Sequence, residues 1–482
     1  MSTVKQLYSQ SIIYGLSTIV PRLLNYLLVP LHTSIMTDPR QYGIITEFYA
    51  YISFLLILLT FGLETGYFRF VNKYKNDESV YSSAFGFVTF ISLFFFIGVS
   101  AFSHDISNAL GNNYLPIYII TTAAIVMLDS FTALPFAKLR NQNRPIVFSI
   151  IKISGVLLNV LLNVLFFVLL SPKFLDKIFP NVNILYFVFL SNLIQNIFVF
   201  VIVTIFTGLP KIRVDKKILK ELLLYSLPIL LAGLSGTTNE AFDRLFIKYL
   251  LPETVDPLYH LGIYGASVKL AVLLVLFVQM YRFAAEPFFF KTSGTKEHSM
   301  LYGKSLKYFL IFTVIISLAI TFNLPILKYL IGKNYRGSLY IVPILLLANI
   351  FYGLYFNLSF WYKLSDKTLY ALKYSVIGSV ITISSNILLI PLIGIYGAAL
   401  SRLITYFVMT ILSYHDGKSS GYISLETNNL KLYFTLILVT TILSTLLLIY
   451  LDAIASLITA DILILMFIYI FIKREHLSIK LW

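Results

Sequence analysis

The sequence predicts an all-α polytopic membrane protein with about fourteen transmembrane helices. Of its 482 residues, 58% are hydrophobic and only 12% are charged, whereas soluble domains carry about 25% charged residues. The mean hydropathy is +0.84. Apolar residues fall in runs of about 20, the length that a helix needs to cross a bilayer. The connections between the runs are short, so no soluble domain of any size is expected.

Fourteen such runs follow one another along the chain, and each is interpreted as one helical span. In chain order the predicted spans cover residues 11–36, 42–68, 80–102, 114–137, 145–170, 183–207, 219–250, 261–290, 304–323, 338–362, 368–390, 394–413, 430–450 and 453–472. The opening segment MSTVKQLYSQS has no pattern of a cleavable signal peptide. The first run is therefore expected to remain as span 1.

Basic residues are concentrated in alternate loops. Of the 37 lysines and arginines, 24 flank one side of the predicted spans and six flank the other, including the three in the loop 328–336. Because cytoplasmic loops are enriched in Lys and Arg, the richer side and both termini are expected to be cytoplasmic. The net charge of +15 is then a property of the loops, and no nucleic-acid partner is expected.

Span 7 carries charged residues on one face of a hydrophobic helix. At about 100° per residue, Glu240, Asp243, Arg244 and Lys248 fall on a common arc. Each charge facing lipid would cost roughly 2.5–3.5 kcal/mol, so this face should meet a cavity, a partner helix or the membrane surface. Two interpretations remain open: pairing within the face, since Glu240 and Arg244 have the favourable i, i+4 spacing, or a cavity that binds a ligand.

Other charged residues also lie in or at the ends of predicted spans. The basic ones are Arg22, Lys152, Arg244, Lys248, Lys269, Arg282 and Arg402, and the acidic ones are Glu64, Asp129, Glu240, Asp243 and Glu286. This excess of seven to five predicts an anionic substrate, although side chains near span ends can instead extend to the membrane surface. Arg282 and Glu286 are four residues apart and are expected to pair. The predicted substrate-binding residues are Arg22, Arg244, Lys248, Lys269 and Arg282.

The chain contains an internal repeat. IIYG at 12–15 opens span 1 and LLYS at 223–226 opens span 7; YGI at 42–44 opens span 2 and LGIYGA at 261–266 opens span 8. Likewise AKLRNQNRP begins at the end of span 4, and YKLSDKT begins at the end of span 10. Six spans per copy preserve the topology, so the repeats are parallel. They predict two six-helix lobes, 1–210 and 211–415, around a central cavity, with two additional helices in 416–482.

Helix-breaking residues lie inside the two equivalent spans 1 and 7. Pro21 and Pro30 fall in span 1, and Pro228, Gly233 and Gly236 fall in span 7. Such residues remove backbone hydrogen bonds and permit kinks, although Pro and Gly are common in membrane helices generally.

No enzymatic site is predicted. The chain has no cysteine, and its six histidines are scattered without the spacing of a metal site, so no metal and no cofactor are expected. Two GKS triplets, at 303–305 and 417–419, lack the earlier glycine of a phosphate-binding loop, because His298 and Leu412 stand there. Transport would then use an ion gradient, such as protons or sodium, a membrane potential or the substrate's own gradient. The candidate carriers of a coupling ion are Glu64, Asp129 and Asp243.

Several stretches resemble oligosaccharide flippases, the O-antigen type of polysaccharide biosynthesis transporter within the multidrug/oligosaccharidyl-lipid/polysaccharide exporter superfamily. They are IVPRLLNYLLVPLHTSIMTDPRQYGIITEFYAY with GLETGYFRF, LGIYGASVKLAVLLVLFVQMYRFAAEPFFFK, YIVPILLLANIFYGLYFNLSFWYKLSDKT and GIYGAAL. The resemblance covers nearly the whole chain and agrees with fourteen spans and a parallel repeat. Drug/cation antiporters and the peptidoglycan-precursor flippase share the superfamily.

This resemblance implies a flippase of the bacterial inner membrane that works by alternating access. It would move an undecaprenyl-pyrophosphate-linked sugar repeat to the outer leaflet for surface polysaccharides such as the O-antigen of lipopolysaccharide. Related flippases hold the pyrophosphate in a cationic cavity, and Arg22 and Arg244 fit that role here, since guanidinium matches phosphate oxygens. Tyr26, Tyr264 and Tyr281 are possible sugar contacts. Membrane lipid and a polysaccharide polymerase complex are the implied partners.

Two other functions remain as alternatives. A multidrug/cation antiporter of the same superfamily would be expected to have more acidic than basic residues in its cavity. A membrane polysaccharide polymerase or ligase would be expected to have a long outer loop with catalytic residues, and the predicted outer loops are short. A purely structural scaffold is disfavoured because buried charge without function is costly.

Overall fold

The structure, a computed structural model, is built mainly of α-helices, with a few short 3-10 and π-helical segments, in the part of the chain that it describes. It describes residues 3–420, except 75–76, 112, 171, 179, 181, 209–212, 293–297 and 366, together with Ile462 and Met466. Predicted spans 13 and 14 lie outside these ranges. The predicted lobe boundary at 210 falls among residues 209–212, which are also outside them.

The helices follow the predicted spans closely. In chain order they are α1 Thr3–Tyr26, α2 Leu28–Ile35, α3 Pro39–Thr60, α4 Leu63–Tyr74, α5 Asp77–Ala101, α6 Ser103–Leu110, α7 Pro116–Asn141, α8 Pro145–Val164, α9 Pro172–Ile178, α10 Tyr186–Thr207, α11 Lys216–Leu250, α12 Pro257–Thr292, α13 His298–Phe322, α14 Leu324–Leu327, α15 Val342–Leu364, α16 Leu369–Ile393 and α17 Ile395–Ser419. Within the described residues, eleven helical segments are long and apolar enough to span a membrane, and they correspond to predicted spans 2–12. The predicted fold class is confirmed.

Predicted span 1 is divided into α1 and α2 by a break at Leu27. Pro30 explains its position. A proline lacks the N–H that would bond the carbonyl four residues earlier, and its ring clashes with that carbonyl. Here that carbonyl belongs to Tyr26, the last residue of α1. By contrast, α1 continues through Pro21 and α11 continues through Pro228.

Predicted span 2 is also divided, at a point that the sequence did not predict. Phe61 and Gly62 have φ angles of 53° and 68°, in the left-handed region that ends a helix. The chain restarts there as α4, which packs against α5, α7 and α11. The last six residues of span 2 therefore lie in a separate helix, α4, which contacts the start of span 7.

The same helix pairs are in contact in the two halves of the chain. In the first half, α1–α10, these are α1 with α8, α5 with α7, α7 with α10 and α8 with α10. In the second half, α11–α17, the equivalent pairs are α11 with α16, α13 with α15, α15 with α17 and α16 with α17. This correspondence is the pattern that the predicted parallel repeat requires. The largest buried apolar cluster joins both halves through α3, α12, α15 and α17.

The backbones of the two halves approach each other closely where α3 meets α12. A Cβ atom added to Gly43 would lie 2.3 Å from the Leu258 carbonyl oxygen, and one added to Gly262 would lie 1.9 Å from the Pro39 carbonyl oxygen. Only glycine allows backbones to approach so closely. Gly43 and Gly262 occupy equivalent positions of the repeat, so the contact is symmetric between the halves.

Connections beside this crossing tie the halves together, and we call them the gate end: residues 36–39, 251–257 and 328–341. The Tyr335 hydroxyl donates to the Met36 carbonyl at 2.7 Å, and the Gly332 N–H donates to Thr33 Oγ1 at 3.0 Å. Arg40 Nε lies 2.5 Å from Asp256 Oδ2. Partial burial would raise the pKa of Asp256. Hydrogen bonds from Arg40 and the Tyr259 N–H, together with the charge of Arg40, outweigh that effect and hold the pKa below its usual range.

Candidate functional site

A cavity of about 300 Å³ lies between the two halves. The first half contributes residues of α1, α2, α3, α8 and α10, and the second half contributes α11 and α12. Its lining residues are Asn25, Leu28, Val29, His32, Tyr42, Ile45, Thr46, Tyr49, Asn159, Asn163, Val188, Asn192, Gln195, Arg244, Gly265 and Lys269. The crossing of α3 and α12 lies at its gate-end side. A cavity between repeats is where parallel-repeat transporters place their substrate.

Two cationic side chains from the second half face this cavity without a partner. Arg244 on α11 is half-buried and Lys269 on α12 is exposed to the cavity. Neither side chain makes an ion pair or a hydrogen bond to any residue that the structure describes. Neighbouring like charges in a low-dielectric space repel each other, so the pair would be stabilised by a bound anion. Sequence analysis predicted both residues as substrate-binding.

The other predicted cations lie outside the lining of this cavity. Arg22 is exposed on α1, within Coulombic range of Lys152 and Tyr352, and has no hydrogen-bond or ion-pair partner within the described ranges. Arg282 Nε lies 3.6 Å from Glu286 Oε2, and its guanidinium stacks over the Phe356 ring. The i, i+4 pairing expected for Arg282 is thus present. Whether these residues bind substrate stays a prediction.

Lys248 is held by an acid that sequence analysis missed. Its ammonium lies 2.7 Å from Oε1 of Glu47, a residue of α3 in the first half. Glu47 is fully buried, and the hydroxyls of Tyr51 and Tyr114 also donate to it. Glu47 lies within predicted span 2, but the five acidic residues counted in the spans omitted it, as they omitted Glu221 in predicted span 7 and Asp461 in predicted span 14. A carboxylate inside an apolar run was the signal that could have found it.

The charged face predicted for span 7 is divided among three surroundings. Asp243 points into the second half, where Arg402 Nη2 lies 2.8 Å from its carboxylate and the Tyr264 hydroxyl donates to it. Arg244 points into the cavity, and Lys248 points to the first half. The charged face of α11 is wide enough for side chains on its successive turns to contact different helices. The Glu240–Arg244 ion pair that the spacing allowed does not form, and Glu240 instead accepts from the Tyr352 hydroxyl at 3.2 Å.

A second cavity, of about 500 Å³, is lined entirely by the first half and shares Gln195 with the first cavity. It contains two of the predicted ion-coupling residues. Glu64 is paired with Arg140 at 2.9 Å, with both side chains partly exposed. Asp129 has no ion-pair partner among the described residues. Lys152, on the same cavity, lies over the rings of Phe136 and Phe148.

Five amide side chains are among the polar residues that the first half contributes to the lining of the first cavity. They are Asn25, Asn159, Asn163, Asn192 and Gln195. Sequence analysis did not single them out, although Asn159 and Asn163 are four residues apart in span 5, and Asn192 and Gln195 are three apart in span 6. That spacing places each pair on one face of its helix and could have identified them. Of the tyrosines predicted as sugar contacts, Tyr264 bonds Asp243 and Tyr281 bonds Ser305. Among the described residues, no acidic and histidine side chains cluster as a metal site.

Comparison with known proteins agrees with this architecture. A family model described as polysaccharide biosynthesis protein matches residues 7–293. The solved structure of the lipid II flippase MurJ in an inward closed conformation is similar with a TM-score of 0.74 at 17% identity, over 97% of this chain and 100% of that one. An inward-facing multidrug resistance MATE transporter gives 0.62 at 14% identity, over 85% and 98%. Its outward-facing counterpart gives 0.59 at 12% identity, over 87% and 98%. No significant match is found among curated protein sequences.

Proposed function

The chain belongs to the polysaccharide biosynthesis protein family, as its motifs predicted, and we propose that it is a lipid-linked oligosaccharide flippase. Its substrate would be an undecaprenyl-pyrophosphate-linked repeat unit, moved across the bacterial inner membrane for surface polysaccharide biosynthesis, including O-antigen of lipopolysaccharide. The observation that carries the proposal is the pair of unpartnered cations, Arg244 and Lys269, in the cavity between the halves. A pyrophosphate carries the charge and acceptor oxygens that both side chains can bind.

The proposed mechanism is alternating access between two lobes, 1–210 and 211–415. With both termini in the cytoplasm, as the basic loops predict, the gate end would face outward. The hydrogen bonds and the glycine crossing at that end would then hold a state that receives substrate from the cytoplasm. Release to the outer leaflet requires α3 and α12 to separate there. The two further spans proposed in 416–482 would lie outside these two lobes. A polysaccharide polymerase complex would be the partner of the flippase.

Coupling to protons or sodium is proposed to use Asp129. Its carboxylate lacks an ion-pair partner in the described part of the chain, whereas Glu64 and Asp243 are paired with Arg140 and Arg402. An intramembrane carboxylate that is not neutralised by a cation has the chemistry to exchange a proton or a cation. This same residue favours the second candidate function, a multidrug/cation antiporter of the MATE type.

The test uses vesicles reconstituted with the purified protein and a defined undecaprenyl-pyrophosphate oligosaccharide. Outward appearance of the sugar is followed with a membrane-impermeant sugar-modifying probe. We expect the wild type to move the lipid, and Arg22→Ala and Arg244→Ala to slow it about tenfold or more, since a hydrogen bond to a charged group contributes about 1.5–3 kcal/mol. Arg213→Ala, which removes an arginine from the exposed connection before α11, serves as the matched control.

Three results would lead to different conclusions. If the wild type moves none of the lipid but exchanges small organic cations for protons, the antiporter function replaces the flippase function. If the lipid moves equally well in all variants, the function stands and the cationic site is wrong. If Arg213→Ala is as slow as Arg244→Ala, the effect reflects net charge rather than the cavity.

A further inference from the structure

The cavity between the halves has two chemically different walls. Arg244 and Lys269 supply the only charged side chains among its described lining residues, and both come from the second half. The first half faces them with Asn25, Asn192 and Gln195. No carboxylate lines the cavity within the described ranges. A ligand that fits both walls is therefore anionic at one end and neutral but rich in hydrogen-bonding groups at the other.

The neutral wall is held in place by a chain of buried hydrogen bonds. His32 Nε2 donates to Asn163 Oδ1, Asn163 Nδ2 donates to Asn159 Oδ1, and Asn159 Nδ2 donates to Gln195 Oε1, each at 2.7 Å. His32, Asn159 and Asn163 are almost fully buried, with exposed fractions of 6%, 6% and 1%. Asn163 Nδ2 also donates to the backbone carbonyl of Asn159 at 2.9 Å. Because a carbonyl can only accept, this bond sets the direction of the other three and so the orientation of each amide.

This chain ends in unused hydrogen-bonding groups at the cavity surface. Its last bond occupies the oxygen of Gln195, so both N–H groups of that amide remain available to a ligand. Beside it, Asn192 Nδ2 donates to the Tyr49 hydroxyl at 2.8 Å, which leaves the Asn192 oxygen available as an acceptor. The side chain of Asn25 makes no hydrogen bond with any described residue. The wall thus offers fixed donors and acceptors side by side.

Sugar hydroxyls match such a wall, because each hydroxyl both donates and accepts hydrogen bonds. A phosphate without sugar matches the amide wall less well, because phosphate offers only acceptors and the cations that would bind it, Arg244 and Lys269, lie on the opposite wall. An organic cation matches it poorly, because the cavity wall holds no carboxylate to neutralise it. Amides buried in a membrane protein without a polar ligand would also be costly to maintain.

We propose that the amide wall of the first half is the saccharide subsite, which holds the sugar nearest the pyrophosphate. Gln195 and Asn192 contact its hydroxyls, and His32, Asn163 and Asn159 act as positioning residues that orient Gln195. The second half holds the pyrophosphate through Arg244 and Lys269. One substrate molecule thus contacts both halves, with its sugar on the first half and its pyrophosphate on the second. This inference rests on the proposed flippase function and adds which part of the substrate each half binds.

The test measures binding of two probes to the full-length protein in nanodiscs. One probe is a short-chain polyprenyl pyrophosphate carrying the oligosaccharide, and the other is the same polyprenyl pyrophosphate without sugar. Gln195→Met and Asn192→Leu remove the amides with little change in volume, Asn159→Leu disrupts the orientation of Gln195, and Arg244→Gln removes the cation. Asn72→Leu, on the exposed surface of α4, is the matched control.

We expect Gln195→Met and Asn192→Leu to weaken binding of the glycosylated probe about tenfold, the effect of losing a hydrogen bond that leaves a polar group unpaired. Binding of the sugar-free probe should be unchanged. Asn159→Leu should likewise weaken binding of the glycosylated probe relative to that of the sugar-free probe. Arg244→Gln should weaken both probes alike. A merely destabilised protein would lose both probes together, so the ratio of the two affinities is the decisive readout.

The inference is overturned if the wild type binds both probes equally, or if the amide variants change both affinities by the same factor. In those cases the cationic site and the proposed function still stand. If the wild type binds neither probe, the proposed function fails and the saccharide subsite fails with it.

Discussion

Glu47 and Lys248 form a buried ion pair between the two halves. Their exposed side-chain fractions are 0% and 10%, and their charged atoms lie 2.7 Å apart. Three tyrosines surround them: Tyr51 and Tyr114 donate to Glu47, and the Tyr249 hydroxyl contacts that of Tyr51 at 2.6 Å. Such a pair is costly to desolvate, but removal of one partner leaves the other charge buried alone.

We predict that Glu47→Gln lowers the stability of the protein by about 3–5 kcal/mol, the usual effect of breaking a buried ion pair from one side. The measurement is thermal unfolding in detergent. Glu47→Gln with Lys248→Met removes both charges, so this double variant should recover much of the loss. A Glu47→Gln variant as stable as the wild type would contradict the prediction, and so would a double variant less stable than Glu47→Gln alone.

For individual residues, the sequence predicted which ones are unusual but not what they contact. Arg244 and Lys269 stood out because a charge inside an apolar run is costly, and both face the cavity. Lys248 stood out for the same reason, yet its partner is 201 positions away. Only the register of α3 against α11 brings Glu47 to it, and a helical wheel contains no such information.

Two breaks in the helices differ in how far the sequence could predict them. Pro30 was identified, since a proline acts through its own covalent structure. The break at Phe61 and Gly62 was not, because a glycine adopts a positive φ angle only when its surroundings require it. Here the surroundings are Ile229 and the Ser226 carbonyl of α11, which lie within 3.3 Å of the position of a Gly62 Cβ atom.

We predict that Gly62→Ala destabilises the protein by about 1–2 kcal/mol, the cost of a left-handed conformation for a residue with a Cβ atom. Its methyl group would also lie 3.0 Å from Ile229 Cγ2. Gly98→Ala is the matched control, because a Cβ at helical Gly98 meets nothing within 4 Å and alanine favours the helix. Thermal unfolding should show a loss of stability for Gly62→Ala but not for Gly98→Ala. Equal stability of the two variants would disprove the strain at Gly62.

In the proposed mechanism, the gate end and the helix crossing beside it close one face of the whole molecule. The crossing brings the backbones of α3 and α12 together at Gly43 and Gly262, and backbone atoms cannot move aside as a flexible side chain can. The sequence predicted the two equivalent glycines as part of the repeat. It did not predict that they meet, because the repeat alone does not set the angle between the halves.

We predict that Gly262→Ala prevents the gate end from closing, since its Cβ would lie 1.9 Å from the Pro39 carbonyl oxygen. The chain has no cysteine, so Asn25→Cys provides a single thiol in the cavity. In membrane vesicles of known sidedness, an impermeant maleimide at the gate end should label that thiol about tenfold faster in the Gly262→Ala background. Gly236→Ala, whose Cβ meets nothing within 4 Å, should not change the rate, and unchanged labelling in Gly262→Ala would exclude the crossing as the barrier.

We also predict that the Arg40–Asp256 ion pair contributes equally to stability from about pH 8 to pH 5. The folded-state pKa of Asp256 lies below its ordinary value, which is about 3.9 in an unfolded chain. The contribution is therefore complete above that value and is lost only as the pH falls below it, through the folded-state pKa. Because the pair is largely exposed, Arg40→Gln should cost less than about 1 kcal/mol. A stability difference that shrinks between about pH 8 and pH 5 would contradict this.

The symmetric glycine contact also bears on how such a chain could arise. Gly43 opposes the Leu258 carbonyl just as Gly262 opposes the Pro39 carbonyl, which is the reciprocal pattern of an isologous dimer interface. A single six-helix half pairing with its own copy would place one glycine against itself on the two-fold axis. Gene duplication and fusion would preserve that crossing while freeing the two copies to diverge. One could then become the cationic wall of the cavity and the other the amide wall, an asymmetry that a homodimer cannot have.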